Sequence, residues 1–307
     1  MFVKKFVSTK QLTLTILAIG LLLGCQSIQQ AEIHEEPYPV RIPSTLTILD
    51  NPQAQEEIMR VFAKAYPSKI SGVEFLDNDW SMLVNGRRFF FANGRFLPQE
   101  LREQWEDFSP WDFYPYPWVG TPSQRQAIFR NPVYSVGSPF LFDTLWSAHT
   151  EDASWEMQEK YSFLGVKMLV HSYVRPILDR ITERIRYAAL TDPSVDEWIS
   201  ELRTSPPSFG WNWRYIANTN RRSNHSYGTA IDLLPRDLRG RHTYWQWTGA
   251  YTISRETHFM PPDTVIAAFE NYGFIWGGNW SLIDTMHFEF RPEILLLNNF
   301  YVQRFER

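Results

Sequence analysis

Two blocks, far apart in the chain, constrain it more than anything else in the sequence. The first is Ser223-Asn224-His225-Ser226-Tyr227-Gly228-Thr229-Ala230-Ile231-Asp232. The second runs from Trp276-Gly277-Gly278-Asn279-Trp280 to Asp284-Thr285-Met286-His287-Phe288-Glu289. Residues two apart on a strand share a face, so His287 and Glu289 point the same way, as do Ala230, Asp232 and Leu234. His225 is an odd number of residues from Asp232, and a straight strand cannot align them. Gly228 lies between, and glycine permits the turn that would. Two histidines and a carboxylate are the ligand types of a catalytic zinc site whose fourth position stays open to water. The expected ligands are therefore His225, Asp232 and His287. Asp284 falls in the turn entering the last strand, within reach of a water held at such a site.

The remaining histidines give no comparable grouping. His171 reads as a packed or capping residue, and His34, His149, His242 and His258 stand alone. With 307 residues the chain can bury one sizeable core and a second small domain. Aromatics reach 16%, with 13 Trp, and most of these rings are expected in the core. The net charge of −4 and the lack of a basic stripe argue against nucleic acid as a partner.

Along the chain, Asn51 to Ala65 reads as a helix with Asn51 as N-cap and Pro52 at its first position. Asn85-Gly86 and Asn93-Gly94 mark tight turns, which predicts two or three short antiparallel strands. A short helix, Pro98 to Trp105, follows. The proline- and aromatic-rich stretch 109–118 reads as an extended strap over the core, or else as a substrate-facing wall. Ser154 to Val174 is expected to be the strongest helix, because Phe163, Val166, Leu169, Val170, Tyr173 and Val174 recur at helical spacing. Ile177, Ile181 and Ile185 continue the run past a kink at Pro176. A helix opening at Asp192-Pro193, a strand over 209–217, a helix from Pro261 to Tyr272 and a strand from Met286 to Phe290 complete the reading. Residues 236–260 form a long insertion of the kind that shapes lids and specificity walls.

Taken together, the blocks Ser-x-His-x-x-Gly-x-Ala-x-Asp, Trp-Gly-Gly-x-Trp and Asp-x-x-His-Phe-Glu resemble the zinc peptidases of peptidoglycan. That group comprises the VanY-type D-alanyl-D-alanine carboxypeptidases and the L-alanyl-D-glutamate endopeptidases. The resemblance covers roughly residues 155–295. It implies an α+β fold, a small antiparallel sheet with flanking helices similar to the hedgehog domain, preceded by an N-terminal α+β region. It implies Zn2+ on His225, Asp232 and His287, with Asp284 as the acid/base. Arg214 matches the arginine that polarises the scissile carbonyl or binds a substrate carboxylate. Glu289 orients a ligand or meets a substrate amine. Ser223, Tyr227 and Trp276 are candidate substrate contacts. The implied substrate is a peptidoglycan stem peptide, with the motif style nearer the endopeptidase branch. A D-alanyl-D-alanine carboxypeptidase, or a non-catalytic lipoprotein that binds wall peptides, is the alternative.

The amino terminus carries its own pattern. Lys4, Lys5 and Lys10 precede an apolar run from Leu12 to Leu23, too short to span a bilayer comfortably. Leu22-Leu23-Gly24-Cys25 then resembles the lipobox of bacterial lipoproteins, with Cys25, the single cysteine, as the lipidated residue. The expected organisation is a signal peptide at 1–24, a flexible tether at 25–40, an N-terminal region of unknown role at 41–120 and a zinc peptidase domain at 121–307. The expected location is the cell envelope, with a lipid anchor to the membrane.

Overall fold

A computed structural model describes residues 51–111, 113–130, 138–204, 209–216, 221–244, 256–300 and 302. The expected signal peptide, the expected tether and Cys25 fall outside the described residues, and no described helix is long and apolar enough to cross a membrane. The fold is α+β, with three small antiparallel sheets among the described residues and helices packed around them. Helix α1 (Pro52–Ala65) starts where the sequence places it, with the Asn51 side chain accepting from the Gln53 and Ala54 amides at 3.0 and 3.3 Å. Strands β1 (Ile70–Leu76), β2 (Asp79–Val84), β3 (Arg87–Phe90) and β4 (Leu97–Pro98) follow as a meander in sequence order. Asn85 and Gly86 turn β2 into β3 with positive φ at both residues, as a tight hairpin needs. The short helix expected next is a 3-10 helix, Gln99–Asp107.

The expected helix at 154–174 is instead a hairpin. A single turn and a half, α4 (Glu151–Glu156), leads into β5 (Gln158–Phe163) and β6 (Val166–His171), paired from Gln158 opposite His171 to Phe163 opposite Val166. Leu164 and Gly165 form its two-residue turn at φ +48° and +91°. Val166, Met168 and Val170 are buried while Lys167 is exposed, so the controlling period is two rather than 3.6. Phe163, Val166 and Val170 satisfy both spacings, which is how a helical reading arises; Gly165 is the residue that breaks the tie. Pro176 consequently kinks nothing. It occupies the first turn of α5 (Arg175–Ala189), where proline's missing donor costs no hydrogen bond. The expected strand over 209–217 is also absent: its described part is irregular, with one bridge between Tyr215 and Arg222.

Helices α2 (Pro122–Arg130), α3 (Phe140–Leu145) and α6 (Pro193–Glu201) surround the sheets. The last sheet, order β7-β9-β8, is built from β7 (Ala230–Asp232), β8 (Phe274–Trp276) and β9 (His287–Phe290). Helix α7 (Asp263–Asn271) covers it by stacking Phe269 on Phe288, centroids 3.9 Å apart. Helix α8 (Pro292–Leu297) closes the described chain.

One core runs through both sides of the expected boundary at residue 120. Ile58, Phe62 and Tyr66 of α1 belong to the same buried cluster as Phe269, Phe288 and Phe290. Trp146 sits at the junction, edge-on to Tyr66, His171 and Phe290 at 5.7, 5.4 and 6.1 Å. His171 is a packed residue, its Nε2 3.1 Å from the Trp146 carbonyl and its Nδ1 accepting from the Tyr173 amide. The strap lies over this core, with Trp111 and Tyr116 buried. The two halves are also joined by a buried polar chain: the Tyr66 hydroxyl donates to Glu293 at 2.5 Å, and Glu293 pairs with Arg291. Burial and the Glu293 charge hold the Tyr66 phenol well above its usual range, so it stays a donor.

Removing that donor leaves a buried carboxylate oxygen short of a partner. Tyr66→Phe should therefore lower unfolding stability by about 1.5–3 kcal/mol, as measured by urea denaturation. Unchanged stability would mean that α1 is not held to the carboxyl-terminal helix in this way.

Candidate metal centre

The first ligand is placed by a short 3-10 turn, Asn224–Tyr227. Ser223 caps it, its hydroxyl accepting from the His225 amide at 3.3 Å. Gly228 ends it at φ +70°, in contact with β5 and β6: a Cβ there would meet Gln158 Oε1 at 1.8 Å and the His171 amide nitrogen at 2.8 Å. The turn reverses the chain into β7, so that His225 and Asp232 meet despite their odd spacing. Asp232 pairs directly across from His287 in the β7–β9 ladder.

The three ligand atoms converge. His225 Nε2 lies 3.3 Å from His287 Nδ1 and 3.3 Å from Asp232 Oδ1, and His287 Nδ1 lies 2.9 Å from Asp232 Oδ1. Among the described residues this is the one histidine–carboxylate group whose ligand atoms could share a metal ion. A tetrahedral zinc with bonds of about 2.0–2.1 Å sets its ligand atoms roughly 3.3 Å apart, so the spacing fits. The outer shell fits as well. His225 Nδ1 faces the Gly210 carbonyl at 2.7 Å and His287 Nε2 faces Glu289 at 3.1 Å. Each outer nitrogen thus donates its proton outward, which leaves both inner lone pairs aimed at one point. Such an arrangement calls for a cation or proton between them.

The electrostatics agree. Burial opposes charge on Asp232, yet the His225 and His287 imidazoles overcome it and hold its carboxyl far below the usual range. Burial likewise opposes charge on His287, but Asp232 and Glu289 raise it to about 10. Without a metal this field attracts a proton; with one it attracts the metal. Glu289 is 5% exposed and held down to about 2, burial being outweighed by His287, Arg291 and the Asn224 amide. It therefore orients His287 and lies inside the wall.

Asp284 lies in the turn after β8, its amide donating to the Gly277 carbonyl at 3.1 Å. Gly277 is required there, since a Cβ would meet the Asp284 carbonyl at 2.4 Å. Burial pushes the Asp284 carboxyl up to about 8; nearby Asp232 adds to this, while His287 and Arg214 oppose it. Its Oδ1 is buried with no hydrogen-bond partner. Arg214 is exposed, and its backbone is tied to the ligand turn through the Ser226 hydroxyl, which accepts from the Arg214 amide at 2.8 Å and donates to the Arg214 carbonyl at 2.7 Å. Ser223, Tyr227 and Trp276 take other places. Ser223 is the buried cap, and Tyr227 is 2% exposed with its hydroxyl donating to Asp143 at 2.9 Å. Trp276 is 3% exposed and gives its indole N–H to the Thr285 carbonyl at 2.9 Å. Trp276 packs into the wall, and Tyr227 borders a small cavity beside the metal centre. Trp280 is the aromatic ring beside the metal ligands, its centroid 5.2 Å from His287.

Several supporting residues escaped the sequence reading. Asn224 donates to Glu289 at 2.6 Å, and Arg291 pairs with the other Glu289 oxygen at 3.5 Å. Arg291 was legible, since 287, 289 and 291 alternate along one face. Gly210 was not: a Cβ would meet the Leu169 carbonyl at 2.1 Å, a contact made across the unforeseen hairpin. His242 and His258 pair, with rings 5.7 Å apart, at the base of the insertion, whose described ends are fixed to the Asp284 turn by the Tyr244–Asp284 bridge. Residues 245–255 lie outside the described residues.

The Gly228 geometry gives a direct test. Gly228→Ala should lose zinc stoichiometry, measured by atomic absorption on the purified chain. Full zinc occupancy in that variant would show that the turn does not set the ligand.

The comparisons with known proteins point the same way. Residues 217–290 match the family model described as D-alanyl-D-alanine carboxypeptidase, a stretch that contains all three ligands and Asp284. Residues 58–113 match a model described as a domain of unknown function. No curated protein and no solved structure matches the chain. Over less than half of its length, then, the chain is similar to a zinc peptidase family, and the similarity falls on the metal centre.

Proposed function

We propose that the chain is a zinc-dependent peptidase acting on peptidoglycan stem peptides. The observation that carries this reading is the convergence of His225 Nε2, Asp232 Oδ1 and His287 Nδ1, with both outer imidazole nitrogens already engaged. A zinc ion held there supplies Lewis acidity and makes its water a nucleophile near neutral pH.

The chain's own residues do the rest. Asp284 is the proton carrier: its buried, unpartnered oxygen is poised to take a proton from the attacking water and return it to the leaving amine. Arg214 sits close enough to oppose the rise in the Asp284 pKa, and its exposed guanidinium is the cation available to a developing oxyanion. Glu289 fixes the His287 ring through Nε2. The bond favoured is L-alanyl-D-glutamate, on the style of the Trp-Gly-Gly-x-Trp and Asp-x-x-His-Phe-Glu blocks. Release of terminal D-alanine is the second reading, favoured by the description of the matching family. The pattern of Lys4, Lys5, Leu12 to Leu23 and Cys25 supports an envelope lipoprotein facing this polymer.

Digestion of purified muropeptides by the chain from Gln26 onward, followed by mass analysis, tests the activity and the bond together. Cleavage should stop with a chelator and return with zinc; cleavage that survives complete metal removal would contradict the mechanism. Asp284→Asn should keep its zinc and lose about 10²–10⁴-fold in kcat. Wild-type turnover in that variant would remove Asp284 from the mechanism.

A further inference from the structure

Beside the metal centre lies a cavity of about 60 Å³ that the mechanism above does not use. Its walls include Trp111 and Tyr114 of the strap, Arg221, Arg222 and Asn224 of the segment entering the first ligand, and Arg291 after β9, with α3 closing one side. No aspartate or glutamate is among the described residues that line it. Asp143, which pairs with Arg222, and Glu289 and Glu293, which pair with Arg291, are not part of the lining. Its polar wall groups are mainly donors. The Trp111 indole N–H is buried with no hydrogen-bond partner, and indole can only donate. Burial keeps the Tyr114 phenol well above its usual range, hence protonated. Guanidinium groups have no acceptor at all. An unsatisfied buried donor is costly, and an anionic acceptor is the group that offsets it best.

Hydrogen bonds link the cavity wall to the metal centre. Asn224 lines it and donates to Glu289, which holds His287. The wall is thus two hydrogen bonds from a metal ligand.

We propose that this cavity is a carboxylate subsite, made by Trp111, Tyr114, Arg221 and Arg222, that receives the acidic group of the substrate residue next to the scissile bond. It rests on the peptidase reading and narrows it to acidic peptides. It also gives the strap, which belongs to the region without an assigned role, a part in specificity.

Two measurements test it, one with and one without turnover. In the first, the zinc-loaded chain is given a stem peptide carrying D-glutamate and the same peptide with that free carboxylate amidated. The acidic peptide should be preferred by about tenfold or more in kcat/KM, mostly through KM, as charge-assisted hydrogen bonds require. Arg221→Gln and Tyr114→Phe should each shrink the preference, with zinc content unchanged. In the second, N-acetyl-D-glutamate γ-methylamide and its α-amide, which lacks the free carboxylate, are titrated into the same proteins and followed by calorimetry. The free-carboxylate probe should bind about tenfold more tightly, and the two variants should lose that difference. Cleavage of both peptides with equal KM, or a preference that survives both substitutions, would overturn the subsite. Failure to cleave either peptide, with the carboxylate preference intact in calorimetry, would overturn the peptidase reading and leave the subsite standing.

Discussion

Two imidazole lone pairs face each other across 3.3 Å, with a carboxylate oxygen between 2.9 and 3.3 Å from both. The two lone pairs repel, and Asp232 can bridge this arrangement only through a proton or a metal. The arrangement is maintained by what lies behind. The Gly210 carbonyl accepts a hydrogen bond from His225 Nδ1, and Glu289 accepts one from His287 Nε2. Glu289 is in turn fixed by Asn224 and Arg291, and Arg291 by Glu293, which Tyr66 holds. The chain of contacts runs from the metal ligands to the first helix without leaving the protein interior.

That chain explains why residues 51–120 share a core with the metal-binding part. A three-stranded sheet of three- and four-residue strands offers little surface of its own to bury. Trp146, Tyr66 and Phe290 supply the missing depth by joining helix, hairpin and sheet. The strap contributes on the other side. The Tyr116 hydroxyl accepts from the Trp276 amide at 2.8 Å and donates to Glu270 at 2.6 Å, and the Trp118 amide donates to the Asn279 carbonyl at 2.9 Å. Arg125 adds bonds to the Trp280 and Ser281 carbonyls at 2.8 and 3.0 Å. The loop between β8 and Asp284 is therefore held from outside the stretch that matches the carboxypeptidase family.

The grouping of His225, Asp232 and His287 was legible in the sequence because the local pattern around each constrains its direction. Gly228 can turn the chain between His225 and Asp232, and alternation puts His287 and Glu289 on one face. Helix α1 was legible for a similar reason, since Asn51-Pro52 specifies a start. The hairpin at 158–171 was not, because Phe163, Val166 and Val170 fit a helix as well as a strand, and only Leu164-Gly165 told against it. That misreading hid the neighbour of Gly210, and with it the partner that sets the His225 tautomer. The inward positions of Tyr227 and Trp276 were hidden too, because motif spacing fixes sequence order and not which way a ring points. Packing decided both: Tyr227 turns to Asp143 and Trp276 to Thr285.

The central claim is that the protein's outer contacts hold three ligand atoms in the geometry of one zinc ion. X-ray absorption fine structure on the zinc-loaded chain measures this directly. The account predicts one zinc per chain, with two imidazole nitrogens and light oxygen donors at about 2.0–2.2 Å. Scattering from a single imidazole, or zinc that binds with the same spectrum in His225→Ala, would contradict it.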